Sequence, residues 1–193
     1  MDKRKFYLVN FITGYRVVAA PLLVALVLYD YKETFGWLLA LSFLTDLADG
    51  FLARRFKVSS IFGARLDSLG DDLTFLAAIA GMLVFKLDFL IDNLFLIAPL
   101  IGLYLLQLVL SLIRYKRISS FHTYLAKISM LVSGSFLILL FLLKEPLMPL
   151  FYVAVGFTAF DLLEEILLVL MINTWKANVK GIYWVLRGNS EAL

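Results

Sequence analysis

The sequence predicts an all-α integral membrane protein, a bundle of six transmembrane helices with both termini in the cytoplasm. Of the 193 residues, 62% are hydrophobic and 17% are charged, and the mean hydropathy is +0.91. Soluble domains carry charge on about a quarter of their residues. Apolar runs long enough to cross a bilayer recur along the chain, and basic residues concentrate in alternate loops.

Six apolar runs form the predicted spans. The hydrocarbon core of a bilayer is about 30 Å thick, so each helix needs about 20 apolar residues. By that rule the spans cover residues 8–29, 34–53, 66–85, 94–113, 121–143 and 148–172. The first run is too long for a secretory signal peptide and lacks a small-residue cleavage site. No composition shift divides the chain, so we interpret residues 1–193 as one domain.

Basic residues set the predicted orientation. Thirteen lysines and arginines fall near the two ends of the chain and in the second and fourth loops. The other loops hold only Lys32, Lys86 and Lys144. Because cytoplasmic loops carry the excess of basic residues, both termini and the loop between spans two and three are expected in the cytoplasm. This face suits membrane lipids with anionic headgroups, and nothing in the sequence indicates nucleic-acid binding.

Four aspartates lie where spans two and three approach the cytoplasm. Asp46 and Asp49 fall in the last two turns of span two, and Asp67 and Asp71 in the first two turns of span three. Residues three or four positions apart share a helical face. The four carboxylates can therefore converge across a loop of about a dozen residues. They cannot all stay ionised at close quarters unaided, and a bound cation resolves the conflict.

The donor atoms favour a hard cation. All four candidate ligands offer oxygen, the chain has no cysteine, and its single histidine is distant in sequence. Oxygen ligands favour Mg²⁺ or Mn²⁺ over zinc. The alternative is a structural ion network, in which Arg54, Arg55 and Arg65 merely pair with the aspartates.

The spacing of this segment resembles, position for position, the motif of the CDP-alcohol phosphatidyltransferase family, membrane enzymes of phospholipid synthesis. Eight fixed positions match, in the order Asp46-Leu-Ala-Asp49-Gly50-Phe-Leu-Ala53-Arg54, eight residues, Gly63, three residues, Asp67, three residues, Asp71. The glycine and alanine positions favour this interpretation over the structural ion network.

The resemblance implies roles for these residues. It makes the four aspartates ligands of Mg²⁺ or Mn²⁺, taken as two ions, and Asp71 doubles as, or instead serves as, the general base. The CDP moiety is expected at Asp49, Gly50, Ala53, Arg54, Gly63 and Asp67. Glycine lets backbone approach a ligand closely, and an arginine can hold a phosphate through its planar fork. Which aspartates bridge two ions stays open.

A second polar face lies on span one. Asn10, Thr13 and Arg16 recur at three-residue intervals, and family members carry a similar Asn-x-x-Thr-x-x-Arg pattern followed by a proline such as Pro21. We expect this face to border the nucleotide pocket. Alternatively, Arg16 extends to the membrane interface or pairs with an intramembrane acid.

Basic residues around the fourth loop are candidates for binding the acceptor. Arg114, Arg117 and Lys127 surround this loop, and Lys127 lies about a turn inside span five, where an unpaired ammonium is costly. We expect them to hold a phosphate or hydroxyls of an alcohol. The alternative for the two arginines is topology charge facing anionic lipid.

Span six carries three acids, which need partners in an apolar helix. Asp161, Glu164 and Glu165 lie three or four positions apart, and we expect them to pair with Arg16 or Lys127. If they instead reach the acceptor pocket, they favour an amine-bearing alcohol such as serine.

The reaction implied by the resemblance transfers a phosphatidyl group from CDP-diacylglycerol to a polar alcohol, with release of CMP. Glycerol 3-phosphate is the first choice of acceptor, because the basic cluster suits a phosphate. An inositol phosphate, serine or another small alcohol is the alternative, since the Gly-x-x-Lys-Thr pattern of glycerophosphate-using members is not clearly reproduced after span four.

The resemblance also suggests a homodimer in a bacterial inner membrane, with the active site facing the cytoplasm. A cation transporter or a scaffold with a structural metal is the non-enzymatic alternative. A transporter predicts acids spread across the bilayer, whereas the strongest acids here cluster at one interface. A scaffold has no need of Ala53 and Arg54.

Overall fold

The computed structural model describes residues 3–56, 61–117, 119, 121, 123–176 and 179–187. Within them, the side chains of residues 3–13, 47, 49–56, 61–69 and 71–72 lie outside the description. Across the described ranges the chain forms eight helices and no strand. The all-α prediction is confirmed.

Six long helices correspond one for one to the predicted spans, and two short helices add to them. The eight are α1 (Lys3–Leu28), α2 (Lys32–Phe56), α3 (Ile61–Phe85), α4 (Leu87–Asp92), α5 (Leu94–Tyr115), α6 (Tyr124–Leu142), α7 (Met148–Met171) and α8 (Ile182–Leu186). The short α4 and α8 were not predicted, because neither is long enough to show an apolar period. Pro149 lies in the first turn of α7, where a missing amide hydrogen costs nothing.

The predicted loop of about a dozen residues between spans two and three is wrong. α2 continues to Phe56 and α3 begins at Ile61, and residues 57–60 between them lie outside the described ranges. A span predicted from apolar residues ends at the first charged residues, here Arg54 and Arg55. Arginine, alanine and leucine nevertheless favour helix, so both helices continue past the predicted limits of the apolar run.

Two described helices, α5 and α6, are long and apolar enough to cross a membrane. Apolar stretches of 15 and 13 residues also occur in α1 and α3, at Gly14–Leu28 and Leu73–Phe85. α7 has 24 residues, and its three acids interrupt an otherwise apolar sequence.

By their packing, the residues form two compact units, with α6 contributing to both. Unit 1 comprises residues 1–90 and 137–145, and unit 2 comprises residues 91–136 and 146–193. The interpretation of residues 1–193 as one domain stays a prediction.

Unit 1 is built on α1, which packs against both α2 and α3. At its centre the ring of Phe35 is fully buried and meets Phe85 and Phe141 edge to face, with ring centroids 5.5 and 4.9 Å apart. Gly81 on α3 leaves the space for this ring, because a Cβ there would lie 2.4 Å from it. Unit 1 therefore depends on a close approach of α2 and α3.

Three loops predicted on the outer side of the membrane come together in unit 1. Lys86, between α3 and α4, is buried, and that burial lowers the pKa of its ammonium group. Lys32 lowers the pKa of Lys86 further, whereas Glu145 raises it. These charges lie near the helix ends that meet where Phe35 contacts Phe85 and Phe141.

Unit 2 packs α5 against α7, and its C-terminal segment closes one end of the pair. Val179 is almost fully buried in a cluster that contains Phe121 and Leu168. The backbone of Tyr124 donates a hydrogen bond to the carbonyl of Lys180 at 3.2 Å. The segment after α7 thus belongs to the core of unit 2.

We expect Gly81→Ala to destabilise the protein by about 1–3 kcal/mol, because the added methyl group overpacks a core that already holds Phe35. Thermal unfolding of the purified protein in detergent measures this change. Gly102→Ala is the matched control, because a Cβ at Gly102 meets nothing within 4 Å. Equal melting temperatures for the Gly81→Ala variant and the wild type would contradict the packing described for unit 1.

Candidate functional site

Arg16 and Asp46 form an ion pair between α1 and α2. The Nη1 atom of Arg16 lies 2.6 Å from Oδ1 of Asp46. The arginine side chain is 1% exposed and the aspartate side chain 20% exposed. A guanidinium buried to this extent requires a charged or hydrogen-bonding partner. The pair therefore joins the polar face predicted on span one to the first predicted metal ligand.

Gly70 on α3 lies directly under this arginine. A Cβ at Gly70 would be 3.2 Å from the Cβ of Arg16, 3.7 Å from its Nε and 3.8 Å from its Cζ. The side chain of Arg16 thus extends along the α3 backbone at a position that carries no side chain of its own. In sequence, Gly70 falls between Asp67 and Asp71, so the three helices of the motif region meet at this point.

The alternative interpretation of Arg16, pairing with an intramembrane acid, is the one for which the structure provides a contact. The acid is Asp46, rather than a residue of span six. Asp46 was predicted as a metal ligand and not as a partner of Arg16. Contact of Arg16 with a nucleotide stays a prediction.

The other motif residues lie in α1, α2 and α3, and two of them, Arg54 and Gly63, were predicted in the loop between spans two and three. Asp49, Gly50, Ala53 and Arg54 belong to α2, Gly63, Asp67 and Asp71 to α3, and Asn10 and Thr13 to α1. Their side chains lie outside the description, as do those of Arg55 and Arg65. Among described side chains, no group of three potential metal ligands is found. Of the four aspartates, only Asp46 has a described side chain, so their convergence stays a prediction.

Arg114, predicted to bind the acceptor, closes the C-terminal end of α7. Its Nε donates to the carbonyl of Ile172 at 3.1 Å, and its Nη2 donates to Oδ1 of Asn173 at 2.6 Å. The hydroxyl of Tyr115 donates to the same Ile172 carbonyl at 2.7 Å. Carbonyls in the last turn of a helix lack intrahelical donors, so these contacts stabilise the junction between α5 and α7.

Arg117 and Lys127 are exposed and lie beside aromatic rings. The Cζ of Arg117 is 5.8 Å from the ring centroid of Trp175, and Nζ of Lys127 is 5.3 Å from that of Tyr124. Cation–π contact is weak at exposed sites, so both charges remain able to meet an anion. Their role in acceptor binding stays a prediction.

Two of the three acids of span six, Glu164 and Glu165, have neutral partners in place of the predicted Arg16 or Lys127, whereas Oδ1 of Asp161 is buried with no hydrogen-bond partner among the described residues. Nε2 of Gln107 donates to Oε2 of Glu165 at 2.8 Å and also contacts the hydroxyl of Ser119. The backbone amide of Ile182 donates to Oε1 of Glu164 at 3.0 Å. Glu165 thus holds the loop between α5 and α6, and Glu164 holds the C-terminal segment.

Gln107, a buried polar residue that binds Glu165, was not predicted from the sequence. Its side chain is 3% exposed within the strongly apolar α5. A single amide in such a run is itself a signal, because polar groups at that depth are costly without partners. Ser119 gave no comparable signal, since a serine in a loop is ordinary.

A sequence model of the CDP-alcohol phosphatidyltransferase family matches residues 6–175. No solved structure matches the chain. The family match covers the whole aspartate motif and all six long helices, and it confirms the resemblance drawn from the motif alone.

Three curated relatives match parts of the chain. A cardiolipin synthase (CMP-forming)/mitochondrial hydrolase fusion protein of Schizosaccharomyces pombe is 41% identical over 66 residues, 34% of this chain and 11% of the relative. A CDP-diacylglycerol–glycerol-3-phosphate 3-phosphatidyltransferase of Cereibacter sphaeroides is 39% identical over 66 residues, 32% of this chain and 30% of the relative. A relative of the same name from Salmonella choleraesuis is 36% identical over 87 residues, which are 42% of this chain and 44% of the relative. The chain spans less than half the length of each.

We expect Arg114→Ala to lower the free energy of unfolding by about 1–3 kcal/mol, because the carbonyl of Ile172 and the side chain of Asn173 lose a charged donor. Thermal unfolding in detergent measures the loss. Arg187→Ala is the control, since the contact of its guanidinium within the described residues is with the exposed ring of Tyr183. An unchanged melting temperature for Arg114→Ala would show that these hydrogen bonds do not stabilise the end of α7.

Proposed function

The chain belongs to the CDP-alcohol phosphatidyltransferase family, and from this membership we propose that it transfers a phosphatidyl group from CDP-diacylglycerol to glycerol 3-phosphate, releasing CMP. The observation that carries the proposal is the family match over residues 6–175, which includes every position of the Asp46–Asp71 motif.

Glycerol 3-phosphate is the acceptor best supported. Two relatives, from different bacteria, are named as transferases to this alcohol. Arg117 and Lys127 are both exposed cations of unit 2, and cations suit an acceptor that carries a phosphate. An inositol phosphate, serine or another small alcohol is less favoured, because no relative named here uses one.

The proposed setting is a bacterial inner membrane, with six spans, cytoplasmic termini and an active site open to the cytoplasm. Six long helices match the six predicted spans. The helix ends beside Lys32, Lys86 and Glu145 meet in unit 1, where Phe35 contacts Phe85 and Phe141, and this supports a shared outer side. The aspartates lie in the opposite halves of α2 and α3, with Asp46 ten residues before the end of α2 and Asp71 ten residues after the start of α3. We also propose a homodimer, on the resemblance alone.

Four carboxylates are proposed to hold Mg²⁺ or Mn²⁺, as two ions. Asp46, Asp49, Asp67 and Asp71 offer oxygen donors only, which suits these hard cations. Asp46 fits this role, because Arg16 engages Oδ1 and the carboxylate has a second oxygen on a side chain that is 20% exposed. When bound, divalent cations stabilise the charge that develops on a pyrophosphate and its leaving group.

The residues of the chain then have the following roles. The acceptor hydroxyl attacks the phosphorus that carries the lipid, and the bond from that phosphorus to CMP breaks. Asp71 takes the proton of the attacking hydroxyl as general base. Gly50, Ala53 and Gly63 leave room for the nucleotide, and Arg54 grips its phosphates. Arg114, Arg117 and Lys127 are proposed to hold the phosphate of the acceptor.

We expect the purified protein to release CMP from CDP-diacylglycerol in detergent when Mg²⁺ or Mn²⁺ and an alcohol are present. Glycerol 3-phosphate should give a rate at least about tenfold above serine, because a site that binds a phosphate rejects an analogue lacking it. Inositol phosphate also carries a phosphate, so a faster rate with it than with glycerol 3-phosphate would make it the acceptor. Phosphatidylglycerol completes the panel, because one relative is named a CMP-forming cardiolipin synthase. Absence of CMP with every acceptor would favour a transporter or scaffold.

Asp71→Asn should lower turnover by about 10²–10⁴-fold, the usual contribution of a general base, while leaving thermal unfolding unchanged. Asp92→Asn is the matched control, because Asp92 is exposed in α4 and belongs to no proposed site. A rate for Asp71→Asn equal to that of the wild type would remove Asp71 from the mechanism.

A further inference from the structure

Arg16, Asp46 and Gly70 support an inference that rests on the proposed function and deepens it. We propose that Arg16 is a positioning residue for Asp46: it fixes the carboxylate from α1 so that the second carboxylate oxygen meets the cation. Gly70 provides the space on α3 that this arrangement needs.

The first step of the argument is the burial of the arginine. With 1% of its side chain exposed, Arg16 has no access to solvent or to a lipid headgroup, so its charge is matched inside the protein. The short contact between Nη1 and Oδ1 of Asp46 supplies that match. A carboxylate bound in this way has lost most of its rotational freedom before any ligand arrives.

The second step is the path of the arginine. Three atoms along its length, Cβ, Nε and Cζ, are the ones nearest to the position of a Cβ at Gly70, at 3.2, 3.7 and 3.8 Å. The side chain therefore lies flat against α3 and cannot move toward that helix. A methyl group at Gly70 would require the Cβ of Arg16 to give by a few tenths of an ångström, whereas Nε and Cζ would be in ordinary contact with it. A shift at the base of the side chain changes where the guanidinium meets Asp46.

The third step concerns what the arginine contacts. A residue that binds the nucleotide would affect CDP affinity and leave cation affinity of the nucleotide-free protein unchanged. A residue that orients a metal ligand affects cation affinity with no nucleotide present, because outer partners of metal ligands set ligand geometry. The two roles are therefore separable by one binding measurement.

The experiment measures Mn²⁺ binding to the purified full-length chain in detergent, without nucleotide, by electron paramagnetic resonance of the free ion. Arg16→Lys keeps the positive charge but loses the planar fork, so repulsion of the cation is retained while the orientation of Asp46 is lost. We expect about tenfold weaker Mn²⁺ binding, the usual effect of losing such a partner.

Gly70→Ala is the second variant, and it keeps both charged residues. We expect weaker Mn²⁺ binding in the same direction as for Arg16→Lys. Gly81→Ala is its matched control, since the added methyl group there meets Phe35 at 2.4 Å, a harder clash placed away from Arg16. This control should lower the melting temperature more than Gly70→Ala and leave Mn²⁺ affinity within about twofold of the wild type.

Three results would overturn the proposal: unchanged Mn²⁺ affinity in both variants, equal weakening in Gly81→Ala, or no Mn²⁺ binding by the wild type. CMP release by the wild type is recorded separately. Wild-type CMP release with unchanged Mn²⁺ affinity in the variants would reject the positioning role alone. Weakened Mn²⁺ binding in a protein that releases no CMP would reject the proposed function and keep the positioning role.

Discussion

A charge buried among apolar helices is stable only where an opposite charge or a hydrogen-bonding group meets it, and this constraint shapes both units of the molecule. In unit 1, the guanidinium of Arg16 meets Asp46 and so joins α1 to α2. In unit 2, Glu165 meets the amide of Gln107, and Glu164 meets the backbone of Ile182. Each polar contact ties together segments that apolar packing alone would leave free to slide.

The ion pair of unit 1 also bears on the charge balance of the proposed site. Four aspartates in one place would repel one another strongly, and some would take up protons. One fixed arginine reduces the net charge of that group without occupying the second oxygen of Asp46. The same contact that joins α1 to α2 thus fixes the orientation of a carboxylate that is proposed to bind a cation.

The sequence was sufficient for the long helices, because each needs a run of apolar residues that no other fold class produces at this frequency. The sequence was also sufficient to identify the family, because the spacing of the Asp46–Asp71 motif is visible in the sequence itself. The loop before Ile61 was predicted too long, because hydropathy reports where lipid ends and not where helical hydrogen bonding ends. The pairing of Arg16 with Asp46, and of Glu165 with Gln107, depends on which helices are neighbours, and periodicity within one helix carries no such information.

The C-terminal segment has a consequence for exchanging parts between relatives. The family match ends at residue 175, yet Val179 is in the core of unit 2 and Gly181, at φ +146°, turns the backbone beside Glu164. A chimera joined at the family boundary would therefore replace interior residues rather than a dispensable tail. Grafts between members of this family should instead carry residues 179–187 together with α7, so that the two continue to fold as one piece.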